Sequence, residues 1–424
     1  MHTTDPSPFL GACKERLREA ITALSRRYDY ISVLGTDSKG SSFRTTGRER
    51  RVAESMWTER GFVFRAQKDG RIVEYALNEL PGGDLPAALA AALDGLLAGA
   101  AQARRYPSLS DEDAGAVKYG QVGSDPFAVD AEEILSRLDA ARAAMMISPE
   151  IVYGAANAEF VRVRKMFLSP RRDLEQGFIW SQAYLVGISR RGDVSKQNYE
   201  AFSGLKGLEI LDELQVKSKA FAEETLALLD AERLVPGEYD VVVNPVITGL
   251  IAHEAFGHGM EMDMFVKGRA LAPEYMGKPV ASPIVNMYDG ALGVEHCGSF
   301  LFDDEGSFGS TTQIIKDGIL MAGISDLQSA LYLGTTPTGN GRRQAFDHKA
   351  YARMTNTYIG PGSSTVEEMI ASVKHGYYLE KMNSGMEDPK NWGIQLVQLL
   401  GKEIRDRTLK GQIVSPVVVS CYVP

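Results

Sequence analysis

His253, Glu254 and His258 are the residues whose types and spacing could do chemistry. They fall in one stretch, Ile251-Ala252-His253-Glu254-Ala255-Phe256-Gly257-His258-Gly259-Met260-Glu261. Imidazoles can hold a zinc ion, and a carboxylate beside them can take a proton from metal-bound water; these are the parts of a metallohydrolase. The commoner H-E-x-x-H spacing projects two histidines four apart from one helix face. Here they are five apart, which on a regular α-helix rotates the second by roughly 140° from the first. One metal can take both only if the helix widens into a π-bulge or loosens near Gly257 and Gly259. Small and apolar neighbours (Gly249, Leu250, Ile251, Ala252, Ala255, Phe256) make the segment read as buried. Three ionisable groups are costly there unless paired or metal-bound. The alternative is an ordinary buried helix with a His-Glu pair and a second histidine nearby by chance.

A chain of 424 residues has room for two domains, and its hydrophobic (44%) and charged (24%) fractions are those of a soluble globular protein. A net charge of -9 argues against nucleic acid as a partner, because phosphate binding needs clustered Lys and Arg. The basic patches (Arg48 to Arg51, Arg171-Arg172, Arg190-Arg191) are short, separated and read as solvated surface. Three widely spaced cysteines, Cys13, Cys297 and Cys421, do not form a disulfide framework and suit a reducing compartment. No secretory signal is visible at the N-terminus. The most apolar run, Leu85 to Ala101, carries Asp94 and is too short to span a bilayer. The expectation is a cytoplasmic protein with no membrane partner.

The elements that must position the trio follow from periodicity. Pro8 to Arg27 reads as an amphipathic helix, with Leu10, Leu17, Ile21 and Leu24 on one stripe. Strand-like segments follow at Tyr28 to Leu34, Arg50 to Trp57, Gly61 to Ala66 and Arg71 to Ala76, with turns at Asp37-Ser38-Lys39-Gly40 and Lys68-Asp69-Gly70. A helix covers Leu85 to Arg105. After a polar linker, Ser108 to Ser124, the order recurs. Ala131 to Met146 is helical, Ile151 to Phe167 and Phe178 to Ile188 are strands, Arg191-Gly192-Asp193 is a turn, and Glu209 to Leu234 closes as a helix. Helix, strands, helix, twice over, predicts an internally duplicated α+β domain over residues 1–235. A β-rich domain over residues 236–424 then carries the metal-site helix. It opens with Val241-Val242-Val243 as a buried strand, a turn at Asn244-Pro245 and Thr248 as N-cap. Many turns follow, and the clearest further helix is Thr365 to Lys374.

Four ordered segments carry a resemblance. They are His253-Glu254-Ala255-Phe256-Gly257-His258-Gly259, Phe302-Asp303-Asp304-Glu305-Gly306, Thr336 to Arg343, and Arg353-Met354-Thr355-Asn356-Thr357-Tyr358. On these the chain resembles the TldD/PmbA family of metallopeptidases, in its zinc-motif-bearing TldD-like form. The resemblance implies that His253 and His258 hold Zn²⁺, that Glu254 is the general base, and that a cysteine near the C-terminus gives the third ligand. It also implies a homodimer, or a heterodimer with a PmbA-like relative, enclosing a chamber for unfolded or short peptides. This chain departs from the pattern at its end. It stops in an alternating stretch, Val414 to Pro424, which reads as a truncated strand, and Cys421 precedes Tyr422 where the family has Cys-Gly. The zinc-cysteine role is therefore not carried onto Cys421, which remains the best local substitute: either the chain is truncated before its cysteine or another group fills the third position. Cys297, beside His296, is a weaker substitute, since free cysteines are more often buried hydrophobes than ligands.

The remaining polar motifs each have two readings. Asp303-Asp304-Glu305 is a carboxylate cluster that orients a metal-bound histidine or a solvated acidic turn. Glu261 or Asp263 accepts a hydrogen bond from a ligand imidazole, or both are solvated. Arg342 or Arg343 binds peptide backbone or a terminal carboxylate. The loop before them lacks the Lys-Ser/Thr of a nucleotide-binding P-loop. The leading function is zinc-dependent peptide hydrolysis. The alternatives are a non-catalytic partner subunit and a metallohydrolase of non-peptide amides.

Overall fold

A computed structural model describes residues 1–422. The α+β architecture expected from the pattern is present. Helix α1 (Pro8–Leu24) is followed by strands β1 (Tyr30–Thr46), β2 (Glu59–Lys68) and β3 (Arg71–Leu77) and by helix α2 (Leu85–Gly99). The same order recurs as α3 (Ala131–Met145), β4 (Ile151–Leu168), β5 (Arg172–Arg191), β6 (Val194–Gly204) and α4 (Ile210–Ala227). These six strands run in the order β6-β5-β4-β1-β2-β3 within an eight-stranded sheet, with Arg50–Glu54 also paired to β1, so the two repeats meet back to back at an antiparallel β1–β4 seam running from Val33↔Leu168 to Thr46↔Ala155. Side-chain oxygens of Ser7, Asp84 and Asp130 cap the N-termini of α1, α2 and α3, the local signal that starts each helix. The leucine stripe of α1 and that of α2 (Leu85, Leu89, Leu93, Leu97) pack over β1 and β2. Helices α3 and α4 cover β4 and β5 in the same way.

Three readings of this half need correcting. Asp37-Ser38-Lys39-Gly40 is not a turn but the middle of β1. Asp37 is buried there, accepting from Ser7 Oγ (2.6 Å) and Arg60 Nε (3.0 Å), and Gly40 lets the segment around Ser55 approach closely. The polar linker contributes a strand, Ala114–Tyr119, running parallel to β5. The last helix of the half ends at Ala227 and passes into a short 3₁₀ turn, Leu228–Asp230.

Beyond residue 235 a second sheet forms. Strand β7 (Asp240–Val243) lies parallel to β8 (His375–Asp388). Next to β8 come β9 (Gly393–Arg405) and β10 (Thr408–Val414), with β11 (Val417–Tyr422) also paired to β9. Only Val242 of the Val241–Val243 run is buried, because β7 is an edge strand rather than a central one. A smaller four-stranded sheet is built on Met287–Asp289 and Thr312–Lys316. The expected helix near Thr365 is present at Val366–Ser372, with Thr365 and Glu368 completing a capping box.

The face of the first sheet that carries Leu34, Phe167 and Leu174 receives the loop 301–306 and is buried by it. Gln176 Nε2 donates to Phe302 O (2.8 Å) and Gln176 Oε1 accepts from Leu301 N (2.8 Å). Gly306, at φ 81, sits against the Phe167 ring where a side chain would collide.

Candidate metal centre

Asn244, not Thr248, caps the helix that carries the trio. Its side chain accepts from Ile247 N (3.0 Å), while Thr248 lies one turn inside and bonds back to Asn244 O (3.0 Å). Pro245 at the first helical position needs no hydrogen-bond acceptor for a missing N–H. The α-helix, Pro245–Ile251, then opens into a π-helical turn, Ala252–Gly257, and tightens to a 3₁₀ turn at His258–Met260. The widening is explicit in the backbone, where His258 N–H donates to His253 O, an i→i+5 bond. That bond stacks residues five apart and cancels the rotation an α-helix would impose. The two imidazoles meet with ring centroids 4.7 Å apart. One ligand atom from each of His253, Glu254 and His258 lies within 4.8 Å of the others.

Two neighbours hold the distorted turn. Trp392, fully buried in the turn just before β9, donates its indole N–H to Ala255 O at 2.7 Å. Gly257 lacks a Cβ where one would overlap the Met354 sulfur. The backbone before β9 curls through Trp392 at φ 59, so the indole reaches the helix from a strained position. Strand β8 closes the other side, and Gly385 leaves the space that the Glu254 carboxylate occupies.

The electrostatics are those of a buried, incompletely paired group. Glu254 is 8% exposed and its Oε2 has no hydrogen-bond partner; Glu261 Oε1 and Asp263 Oδ1 are likewise buried without one. Burial raises the Glu254 pKa, and the neighbouring Glu387 carboxylate raises it further. Burial and the adjacent His258 lower that of His253, favouring the neutral, ligating form. Glu261, whose Oε2 stands 3.6 Å from His258 Nδ1, raises that of His258 against the effect of burial. Glu261 is held in turn by Arg353 Nη1 at 3.2 Å. Two imidazoles, a carboxylate with an unsatisfied oxygen and a carboxylate behind one ring are a donor set that suits a zinc ion.

The other expected participants lie elsewhere. Asp263 pairs with Lys267 (2.7 Å) rather than with an imidazole. Asp303, Asp304 and Glu305 are neither solvated nor beside a histidine. Glu305 pairs with Arg65 and Asp304 with Lys165, both from the first sheet, while Asp303 accepts from the backbone N–H groups of Glu305, Ser307 and Gly341 at 2.9 Å each. Arg343 is buried and bonded to Glu74, which removes it as a peptide ligand; Arg342 bonds Met354 O at 3.0 Å. Buried Asp289 joins the two remaining motifs, accepting from Asn340 Nδ2 (2.7 Å), Thr355 N and Thr355 Oγ1 (2.9 Å each). Cys297 is half-buried against Ser203 and Gly204, and Cys421 is exposed on β11; neither belongs to the group around His253. Sequence reading missed Gly385, Glu387 and Trp392, which come from strands more than a hundred residues away and carry no motif of their own.

Comparison with known proteins matches residues 236–417 to the PmbA/TldA metallopeptidase C-terminal domain. Among curated proteins, a Synechocystis metalloprotease is 31% identical over 253 residues, 57% of this chain and 54% of that protein. A zinc metalloprotease TldD homolog of Saccharolobus solfataricus is 30% identical over 234 residues, 54% of this chain and 52% of that protein. The chain thus spans about half the length of these relatives. In fold, a Thermotoga maritima protein described as a candidate modulator of DNA gyrase superposes with TM-score 0.80 at 16% identity, covering 96% of this chain and 92% of that one. TldE from Thermococcus kodakarensis superposes at TM-score 0.72 and 16% identity, covering 97% and 91%.

Proposed function

The chain belongs to the TldD/PmbA metallopeptidase family through residues 236–417, and from that premise we propose that it is a zinc-dependent peptidase of unfolded or short peptides. The observation that carries this reading is the i→i+5 turn, which brings His253, Glu254 and His258 into one group despite their unusual spacing. His253 and His258 hold the ion. Zinc bound there supplies a Lewis acid for the scissile carbonyl and lowers the pKa of a coordinated water toward about 7. Glu254 takes the proton from the attacking water and returns it to the leaving amine. Its raised pKa makes it a stronger base for the first transfer. Glu261, fixed by Arg353, orients the His258 ring from behind. Extended substrate is received by strand addition at the sheet that contains β8, within a cytoplasmic dimer of two copies or of this chain and a PmbA-like relative.

The test is hydrolysis of an unstructured peptide by zinc-reconstituted protein, with zinc counted per chain. About one zinc per chain, lost with His258→Ala together with activity, supports the reading. Activity that survives metal removal sinks it. A second reading, a non-catalytic partner subunit, is favoured by the position of Cys421 outside the donor group. Absence of stoichiometric zinc would decide for it.

A further inference from the structure

Six non-glycine residues stand at positive φ among the described residues, and five of them lie in turns between strands. Lys381, at φ 61, is the exception: it sits inside β8, in a conformation that a residue with a Cβ adopts only under strain. The ladder is irregular around it. Lys381 has no partner on β9, Met382 pairs with Gln398 and Ser384 with Val397, so β8 carries one extra residue there.

That extra residue changes which part of β8 faces the metal turn. Ile394 and Leu396 of β9 turn to the core around Phe256 and Trp392. On the same face of β8, a regular strand would follow Glu380 and Met382 with Ser384 and Met386. The bulge puts Gly385 there instead, opposite Leu396, and the Glu254 carboxylate occupies the space that a Cβ would fill. The glutamate rests on a glycine only because β8 is bulged between Met382 and Gly385.

The groups that hold this segment come from the first half of the chain. The Lys381 ammonium is paired with Glu200 on β6 and with Glu224 on α4, the latter at 3.2 Å, and its side chain is 16% exposed. Tyr199, beside Glu200, donates its phenol O–H to Met382 O. Asn198 Nδ2 fixes Glu224 in turn at 2.9 Å. Lys402 on β9 is taken up by Glu380 (2.5 Å), which leaves Glu200 and Glu224 to Lys381. A cleft of about 970 Å³ lies here between β6, α4 and β8, so the lysine spans a gap rather than a packed core.

We propose that Lys381 is a positioning residue for Glu254. Anchored on Glu200 and Glu224, it holds the bulge that turns Gly385 to the Glu254 carboxylate, so that the first half of the chain sets the geometry of the base. The inference rests on the reading of Glu254 as general base and adds to it a residue outside the His-Glu-His group.

Three substitutions separate the charged arm from the backbone strain. Lys381→Met removes the charge and keeps most of the stem, Lys381→Gly removes the arm but relieves the strain, and Lys381→Arg keeps a charge. The measurements, on zinc-reconstituted full chain, are kcat and KM for an unstructured peptide, zinc per chain, and amide hydrogen exchange from Met382 to Gly385. Lys381→Met and Lys381→Gly should each lower kcat about tenfold at unchanged KM and zinc content, and speed exchange in the bulge about tenfold. Lys381→Arg should recover most of both losses. Glu200→Gln with Glu224→Gln should match Lys381→Met, and adding Lys381→Met to that pair should cost nothing more. Wild-type kcat in Lys381→Gly, or unchanged exchange in Lys381→Met, overturns the proposal. Loss of zinc in Lys381→Met also overturns it, because the arm would then support the metal turn rather than the base. A wild-type chain that hydrolyses no peptide defeats the peptidase reading and the role at Glu254 with it, whereas unchanged exchange beside intact activity defeats the arm alone.

Discussion

Two buried clusters of acidic and basic side chains stand in this molecule, and they differ in what is left over. Around Asp303, Asp304 and Glu305 the carboxylates are matched by cations or backbone N–H groups: Glu305 by Arg65, Asp304 by Lys165 and Arg343 N, Asp303 by three amides. Around His253 and His258 the balance fails, with unpartnered buried oxygens on Glu254, Glu261 and Asp263. A buried polar group left without a partner costs free energy, and three such carboxylate oxygens gathered around two imidazoles are a setting that a cation would relieve. The satisfied cluster is a clamp between the first sheet and the loops of the second half. The unsatisfied one is the proposed metal centre.

The contrast can be broken most sharply at its two glutamates. Glu254→Gln should lower peptide hydrolysis by roughly 10²–10⁴-fold while zinc content stays near wild type and thermal stability does not fall. Retention of full activity in that variant removes Glu254 as base. Glu305→Ala should do the reverse to the fold, because it removes one of the two carboxylates paired with buried Arg65, leaving only Glu74, and takes the acceptor from Leu327 N. A loss of about 3–5 kcal/mol is expected in urea denaturation, and a loss below about 1 kcal/mol would show that the clamp is no stronger than a surface pair.

Acid should act on the clamp through Glu74. Burial works against its charge, but Arg65 and Arg343 outweigh burial and bring its pKa from 4.5 to about 2. A depressed carboxylate contributes stability that is fully present above its unfolded value and is lost as pH falls through the folded one. Stability should therefore drop on acidification between pH 4.5 and about 2, by up to about 3 kcal/mol. Denaturation midpoints of Glu74→Gln should lack that component of the slope. The smallest effect is expected at Gly385→Ala. The added Cβ displaces the Glu254 carboxylate, the movable end of a side chain. About a tenfold loss of turnover with little change in melting temperature is expected; unaltered turnover would show that Glu254 tolerates displacement.

Much of this was legible in residue order. The capped leucine stripes of α1 and α2 and the repeated helix–strands–helix order anticipated the two back-to-back repeats. The five-residue histidine spacing anticipated the π turn, since no regular helix satisfies it. Legibility failed where the environment overrode local signals. Asp37-Ser38-Lys39-Gly40 has turn composition, yet it runs straight through β1 because Ser7 and Arg60 satisfy Asp37. Asp303-Asp304-Glu305 has the composition of a solvated turn, yet it is buried by cations more than a hundred residues earlier in the chain.

By itself the sequence determined which side chains could ligate and act as base, and that their helix had to deviate. Both facts rest on side-chain chemistry and on helical geometry, which are local. Only the tertiary structure decided that Trp392 and Gly257 hold the deviation, that β8 brings Gly385 and Glu387 to Glu254, and that Cys421 lies two strands away. Those outcomes depend on strand register and close approach between distant segments, which no local run of residues encodes.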